Sequence, residues 1–182
     1  MLRIFALIVA LVTSARASAC GLESSTVQRM LQLDFIHFDQ TDHQGHRQLA
    51  ELGCFLDAAI VTDAYHIQSA GKLEPWQDRI SYFHAGQYFA MADSKLYNIA
   101  INRLENSKYP NEPADSEITW NTYVEATEAF FKHDLGSLRE KRRLMALKTT
   151  GMQLINLKVV DGLINCFNEP YLKAYADAAC RE

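Results

Sequence analysis

The sequence lacks the short motifs that mark the common enzyme classes. It contains no GxSxG elbow, no HExxH helix, no phosphate-binding P-loop and no dinucleotide-binding fingerprint. No two cysteines form a CxxC pair, so neither a thioredoxin-type redox motif nor a zinc ribbon is supported. The net charge of -4 excludes a strongly basic nucleic-acid binder. We therefore expect a protein that has no catalytic activity and binds no cofactor and no metal ion.

Glycine and proline are also scarce. The chain of 182 residues contains 8 Gly and 4 Pro, which argues against a turn-rich β structure. Hydrophobic residues make up 48% of the chain and recur at helical spacing, with no alternation of the kind that strands show. The sequence therefore predicts an all-α protein, and its length fits one domain.

Long hydrophobic runs are missing after the N-terminus. The chain begins Met1-Leu2-Arg3, an apolar run covers residues 4–12, and Ala17-Ser18-Ala19 supplies the small residues that a signal peptidase needs. The run is about half of the roughly 20 residues that span a bilayer. We predict that residues 1–19 are a cleaved signal peptide and that residues 20–182 form a single α-helical domain. The expected location is periplasmic or secreted, without a transmembrane anchor.

Four cysteines fit an oxidising compartment, and they stand at Cys20, Cys54, Cys166 and Cys180. Helices predicted over residues 25–38 and 44–54 are joined by a short link, so they should be antiparallel. Cys20 precedes the first helix and Cys54 ends the second, which places both at the same end of the hairpin. The spacing therefore favours a Cys20–Cys54 disulfide.

The pairing of Cys166 with Cys180 follows by elimination. A straight helix to Cys180 would carry it about 15 Å beyond the turn at Asn168, because each residue rises 1.5 Å. A disulfide needs Cα atoms within roughly 7 Å of each other. This bridge therefore requires the last helix to end near Ala176, so that the chain can fold back.

A lipid anchor is the alternative state of Cys20. The residues Ala17-Ser18-Ala19-Cys20 loosely resemble a bacterial lipoprotein box, in which the cysteine is lipidated. Lipidation would leave an odd number of cysteines, so the disulfide is the favoured interpretation.

The predicted turns recur at a regular interval of roughly 35–40 residues, which is typical of helix-pair repeats. They fall near Cys54, Asp93, Asp134 and Asn168. Within residues 40–150 the sequence resembles the tetratricopeptide repeat. Ala85 and Tyr88 match the small residue and the tyrosine of the first repeat helix. Ala100 and Leu104 match the alanine and the large apolar residue of the second.

This resemblance implies antiparallel helical hairpins stacked as a short α-solenoid. The first helices of such an array line a concave groove that binds an extended peptide. Alignment on Ala85 and Trp120 places six residues toward that groove: Arg79, Tyr82, Phe89, Asn121, Glu125 and Glu128. The implied function is an exported module that binds a protein or peptide, or associates with the cell envelope, without catalysis.

Two alternatives stay open beside this interpretation. An irregular helical bundle would show the same apolar stripes as a solenoid. A small secreted helical hydrolase or cell-envelope enzyme could use histidines and carboxylates that are scattered through the sequence. A closed pocket that joins His84 to acidic residues would favour such an enzyme.

Potential metal ligands are concentrated in one segment, which contains Asp34, His37, Asp39, Asp42, His43 and His46. Metal ligands must converge on one point, and no two of these histidines have the four-residue spacing that achieves this on a helix. We predict that the segment is a solvated turn. His84 lies between Phe83 and Ala85 in a core-rich helix and is predicted to be a hydrogen-bonded structural residue.

Overall fold

The computed structural model describes residues 20–113 and 116–181, so the predicted signal peptide lies outside the described residues. Within these ranges the regular structure is helical and contains no strand, which confirms the all-α prediction. No helix in this part of the chain is both long and apolar enough to cross a membrane. The α-helices are α1 (Ser24–Leu31), α2 (Gly45–Glu51), α3 (Phe55–Gln68), α4 (Pro75–Ala92), α5 (Tyr97–Ser107), α6 (Trp120–Phe131), α7 (Leu135–Met145), α8 (Gly151–Asn165) and α9 (Tyr171–Ala176).

Local sequence signals explain where these helices begin. Pro75 is the first residue of α4, where its missing N–H costs no helical hydrogen bond. Just before it, the backbone N–H of Glu74 donates to Oε1 of Gln77 at 2.9 Å. At the start of α7 the carboxylate of Asp134 accepts from the backbone N–H of Ser137 at 2.9 Å. Both side chains satisfy donors that the helix itself leaves unpaired.

Consecutive helices pack on one another along the chain. The most extensive contacts join α3 with α4, α4 with α5 and α6 with α7, while α8 contacts α6, α7 and α9. Stacking of Phe38 on Tyr65, with ring centroids 3.8 Å apart, fills the N-terminal part of the core. Phe131 packs edge-on against Tyr171 in the C-terminal part, at 4.8 Å. A continuous core therefore connects the first hairpin to α9.

The first predicted helix is interrupted in the structure. The sequence predicts one helix over residues 25–38, but α1 ends at Leu31 and a separate π-helical turn covers Ile36–Gln40. The carboxylate of Asp34 accepts the backbone N–H of His37 at 3.0 Å and so begins this new turn. The turn carries Phe38 and Asp39 into the core.

Both predicted disulfides are confirmed. The Cα atoms are 5.7 Å apart in Cys20–Cys54 and 5.6 Å apart in Cys166–Cys180. As predicted, α9 ends at Ala176 and the following residues fold back to Cys180. The first bridge uses the sulfur that lipidation would need, and the pair of bridges fits a non-cytoplasmic location.

Removal of the second bridge is expected to destabilise the fold. Because Cys166 and Cys180 are 14 residues apart, their loop should contribute about 3 kcal/mol by restricting the unfolded chain. We expect the variant C166A/C180A to lose this amount in urea-induced unfolding. The variant C20A/C54A, with a separation of 34 residues, should lose about 0.8 kcal/mol more. A loss below about 1 kcal/mol in both variants would contradict the loop-entropy explanation.

Candidate functional site

A buried polar cluster lies where the π-helical turn, α2 and α4 meet. Oδ2 of Asp39 is 2.9 Å from Nε2 of His46 and 3.0 Å from Nδ1 of His84. Asp39 and His46 are completely buried, and the side chain of His84 is 14% exposed. The cluster therefore reaches the surface at the His84 imidazole.

Gly45 allows α2 to approach the π-helical turn closely. It has a φ of 48°, and a Cβ atom added to it would lie 2.0 Å from the carbonyl oxygen of Phe38. A glycine is therefore required both by the backbone conformation and by the close contact. The contact places His46, the next residue, beside Asp39.

Hydrogen bonds determine the proton positions in the cluster. Burial opposes ionisation of Asp39, but charge interaction with His84 and hydrogen bonds from both imidazoles hold the pKa of this carboxyl well below its usual range. An ionised carboxylate only accepts, so His46 donates through Nε2 and His84 through Nδ1.

The second nitrogen of each imidazole has a different environment. Burial lowers the pKa of His46 and favours its neutral form, so its Nδ1 accepts from the hydroxyl of Tyr88 at 2.9 Å. Nε2 of His84 has no hydrogen-bond partner among the described residues. This nitrogen accepts a hydrogen bond when the His84 imidazole is neutral and donates one when it is protonated.

Other groups complete the hydrogen bonding of Asp39. The side-chain amide of Gln40 donates to its Oδ1, and the guanidinium of Arg47 donates to its backbone carbonyl. The carboxylate is thus fixed in position by donors from three sides, which fixes the orientation of the His84 ring as well.

The same cluster offers the donor set of a metal site. Asp39, His46 and His84 each place one possible ligand atom within 4.8 Å of the other two. Two imidazoles and a carboxylate suit zinc or a similar ion. An ion at this point would need both histidines in the opposite tautomer, because the coordinating nitrogens now donate to Asp39. In the protein alone, the three side chains form a hydrogen-bonded network.

The sequence predicts that all six candidate ligands lie in a solvated turn. This prediction is wrong for Asp39 and His46, which are buried. Other members of the segment lie at the surface in pairs of their own. His37 contacts Asp34 at 2.7 Å, and His43 contacts Glu51 at 2.6 Å. The prediction that His84 is hydrogen-bonded is confirmed, although its partner Asp39 is 45 residues away.

His84 borders a cavity of about 280 Å³ between α4, α6, α8 and α9, which we call the inner cavity. Its apolar lining consists of Ile80, Phe83, Ile118, Trp120 and Met152. Its polar lining consists of His84, Gln87, Tyr123, Asn156 and Tyr175. The volume is close to the lower end of the range for small-molecule sites, about 300 Å³.

A second, smaller recess of about 150 Å³ adjoins the inner cavity, and we call it the outer cleft. The two share Ile80, Ile118 and Trp120, and the outer cleft adds Trp76 and Arg79. Together they form one concave surface whose walls are the α4 and α6 helices and the segment before α6.

The structure distributes the six predicted binding residues over several places. Arg79 lines the outer cleft, where it also donates to the carbonyl of Asn106 at 2.7 Å. Tyr82 packs on the His66 ring at 4.0 Å, outside the lining of both recesses. Phe89 is buried in the core.

The three predicted residues of α6 lie away from the inner cavity. Asn121 bonds the backbone of Tyr109 in the loop before α6. Glu125 and Glu128 line a separate surface recess together with lysines, and Lys141 contacts Glu125 at 2.6 Å. The predicted six therefore do not form one surface, and their binding role stays a prediction.

No family model, curated protein or solved structure matches the chain. The relationship to the tetratricopeptide repeat therefore remains a prediction from the residues that resemble it. Function has to be inferred from the inner cavity, the outer cleft and the cluster behind His84.

Proposed function

We propose that this is an exported, TPR-like helical module that binds a peptide segment of a partner in the outer cleft and inner cavity, without catalysis. The observation that carries the proposal is the concave surface between α4 and α6. These are the two helices that the repeat resemblance assigns to a peptide-binding groove.

The composition of this surface supports a peptide ligand. Trp76 is 45% exposed in the outer cleft, and apolar side chains continue from there into the inner cavity. Exposed aromatic side chains beside polar groups are typical of interface centres. An apolar side chain of a peptide would enter the inner cavity while its neighbours contact Trp76 and Arg79.

A pair of variants on α8 tests the proposal. Peptides would be selected from a random phage-displayed library on the immobilised protein. We expect Met152→Arg, inside the cavity lining, to abolish binding of the selected peptides, because it introduces a charge among apolar contacts. Ile155→Arg should leave binding unchanged, because Ile155 lies on the same helix with similar exposure, 59% against 54%, but outside the lining. Selection of no peptide, or equal effects of both variants, would contradict the proposal.

Hydrolysis is a second candidate function, favoured by the Asp39–His84 pair at the cavity wall. An imidazole oriented by a carboxylate can remove a proton from water through its other nitrogen. We would measure release of nitrophenol from nitrophenyl esters by wild-type protein and by the variant His84→Ala. His66→Ala is the control, because His66 is also 14% exposed and contacts Asp78 at 2.7 Å. Turnover that is lost in His84→Ala alone would support an enzyme.

A further inference from the structure

The inner cavity is lined by polar residues whose side chains bond no other described residue. Its lining includes Tyr123, Tyr175 and Asn156, and neither the two hydroxyls nor the amide makes a hydrogen bond in the described part of the chain. Tyr123 is only 5% exposed. The side-chain N and O atoms that are both enclosed and unpaired in the described part of the chain are Nε of Arg79 and Oε1 of Glu128, so the polar ends of the three lining residues stay accessible. They are therefore available to bond a polar ligand in the cavity.

Two further groups in the lining of the inner cavity have a defined role as hydrogen-bond donor or acceptor. Nε2 of His84 is an acceptor in the neutral imidazole, because Nδ1 donates to Asp39 at 3.0 Å. The amide nitrogen of Gln87 donates to the hydroxyl of Tyr171 at 2.8 Å, which leaves the Gln87 carbonyl oxygen as an acceptor. With His84 neutral, the cavity offers acceptors from α4. From α6, α8 and α9 it offers groups that can both donate and accept.

The charge of the lining limits the ligand further. Among the described residues, no Asp, Glu, Lys or Arg lines the inner cavity. A carboxylate or an ammonium group would lose its hydration there without an opposite charge to replace it. A group that carries both an N–H donor and a carbonyl acceptor, but no charge, matches the available partners.

We infer that the inner cavity binds an uncharged amide, such as a peptide bond or a carboxamide, attached to an apolar side chain. This inference rests on the proposed function and specifies the part of the peptide that enters the cavity. The amide N–H donates to His84, the hydroxyl of Tyr123 donates to the amide carbonyl, and the apolar side chain packs on Phe83 and Trp120.

Three probes that share one branched alkyl tail test this inference: isovaleramide, isovalerate and isopentylamine. The two tryptophans of the chain, Trp76 and Trp120, both line the concave surface, so tryptophan fluorescence reports on it directly. We expect the neutral amide to bind about tenfold or more tightly than the anion or the cation at neutral pH. Glucose is an additional probe, because it is neutral and polar but has no amide. Equal or tighter binding of glucose or of a charged probe would overturn the inference.

Removal of the Tyr123 hydroxyl tests whether isovaleramide binds in the inner cavity. Tyr123→Phe should weaken isovaleramide binding several-fold without lowering the melting temperature, because the hydroxyl has no hydrogen-bond partner among the described residues. Tyr65→Phe is the control, since its hydroxyl donates to the carbonyl of Leu33 at 3.1 Å outside the cavity. It should lower the melting temperature and leave isovaleramide binding unchanged. Unchanged binding in Tyr123→Phe would contradict the assigned contact.

The inference and the proposed function can fail separately. If Met152→Arg abolishes binding of selected peptides but the charged probes compete better than isovaleramide, the ligand class is wrong and the peptide site stands. If isovaleramide binds with the expected preference but no peptide is selected, the amide site stands and the peptide proposal is wrong.

Discussion

Replacement of Asp39 by asparagine is expected to lower the free energy of unfolding by roughly 3–5 kcal/mol. The carboxylate is completely buried and accepts from His46 and His84 through one oxygen and from Gln40 through the other. Asparagine has one acceptor oxygen, so its NH₂ group must face at least one of these donors. The loss would be measured by urea-induced unfolding at neutral pH.

The exposed pair of Asp34 and His37 provides the control. Asp34 is also hydrogen-bonded to a histidine, at 2.7 Å, but its side chain is 64% exposed. Asparagine in its place keeps an oxygen that can accept the backbone N–H of His37. We expect Asp34→Asn to unfold like the wild type. Equal stability of Asp39→Asn and Asp34→Asn would refute the structural role of the buried carboxylate.

Acid titration provides a second readout of the Asp39 substitution. Because the folded state holds the pKa of Asp39 below its unfolded value of about 3.9, the carboxylate stabilises the fold above that pH. This stabilisation is lost as the pH falls through the range below about 4. The stability difference between wild type and Asp39→Asn should therefore narrow on acidification. A difference that stays constant down to pH of about 2 would contradict the assignment of the pKa shift.

Replacement of Gly45 by alanine is expected to cost about 4 kcal/mol or more. The new Cβ atom would lie 2.0 Å from the carbonyl oxygen of Phe38, so the backbone of α2 or of the π-helical turn has to move. Either movement separates His46 from Asp39. We expect a large loss in urea-induced unfolding.

Gly71→Ala separates this clash from the cost of the backbone conformation. Gly71 also has a positive φ, of 74°, but a Cβ atom there would meet nothing within 4 Å. It should cost about 1–2 kcal/mol, the price of a left-handed conformation alone. A cost for Gly45→Ala that is no greater than that for Gly71→Ala would show that the contact with Phe38 is unimportant.

Local patterns in the sequence were sufficient to predict helices and disulfides. The spacing of Cys166 and Cys180 required a helix end near Ala176, and α9 ends there. Such predictions succeed because a helix has a fixed rise and a disulfide has a fixed span. The break after Leu31 was not predicted, because a side-chain cap from Asp34 overrode the apolar periodicity.

The site depended on contacts between distant segments, which periodicity does not reveal. His84 and Gln87 occupy the same helical stripe as Ile80 and Phe83, at a spacing that is typical of a face packed on the core. Polar residues within an apolar stripe were the available signal for a cavity. Asp39, the hydrogen-bond partner of His84, could not be found in this way, because it belongs to a segment whose polarity is typical of a solvated turn.

Oxidation of the cysteines and completion of the inner cavity are connected through α9. The Cys166–Cys180 loop encloses all of α9, including Tyr175 of the cavity wall. Arg181, next to the bridge, lies 5.4 Å from the centre of the Tyr175 ring and donates to its carbonyl. A newly synthesised chain with reduced cysteines lacks the covalent anchor of this wall. The ligand proposed for the inner cavity is therefore expected to bind more tightly to the oxidised protein than to the chain with reduced cysteines.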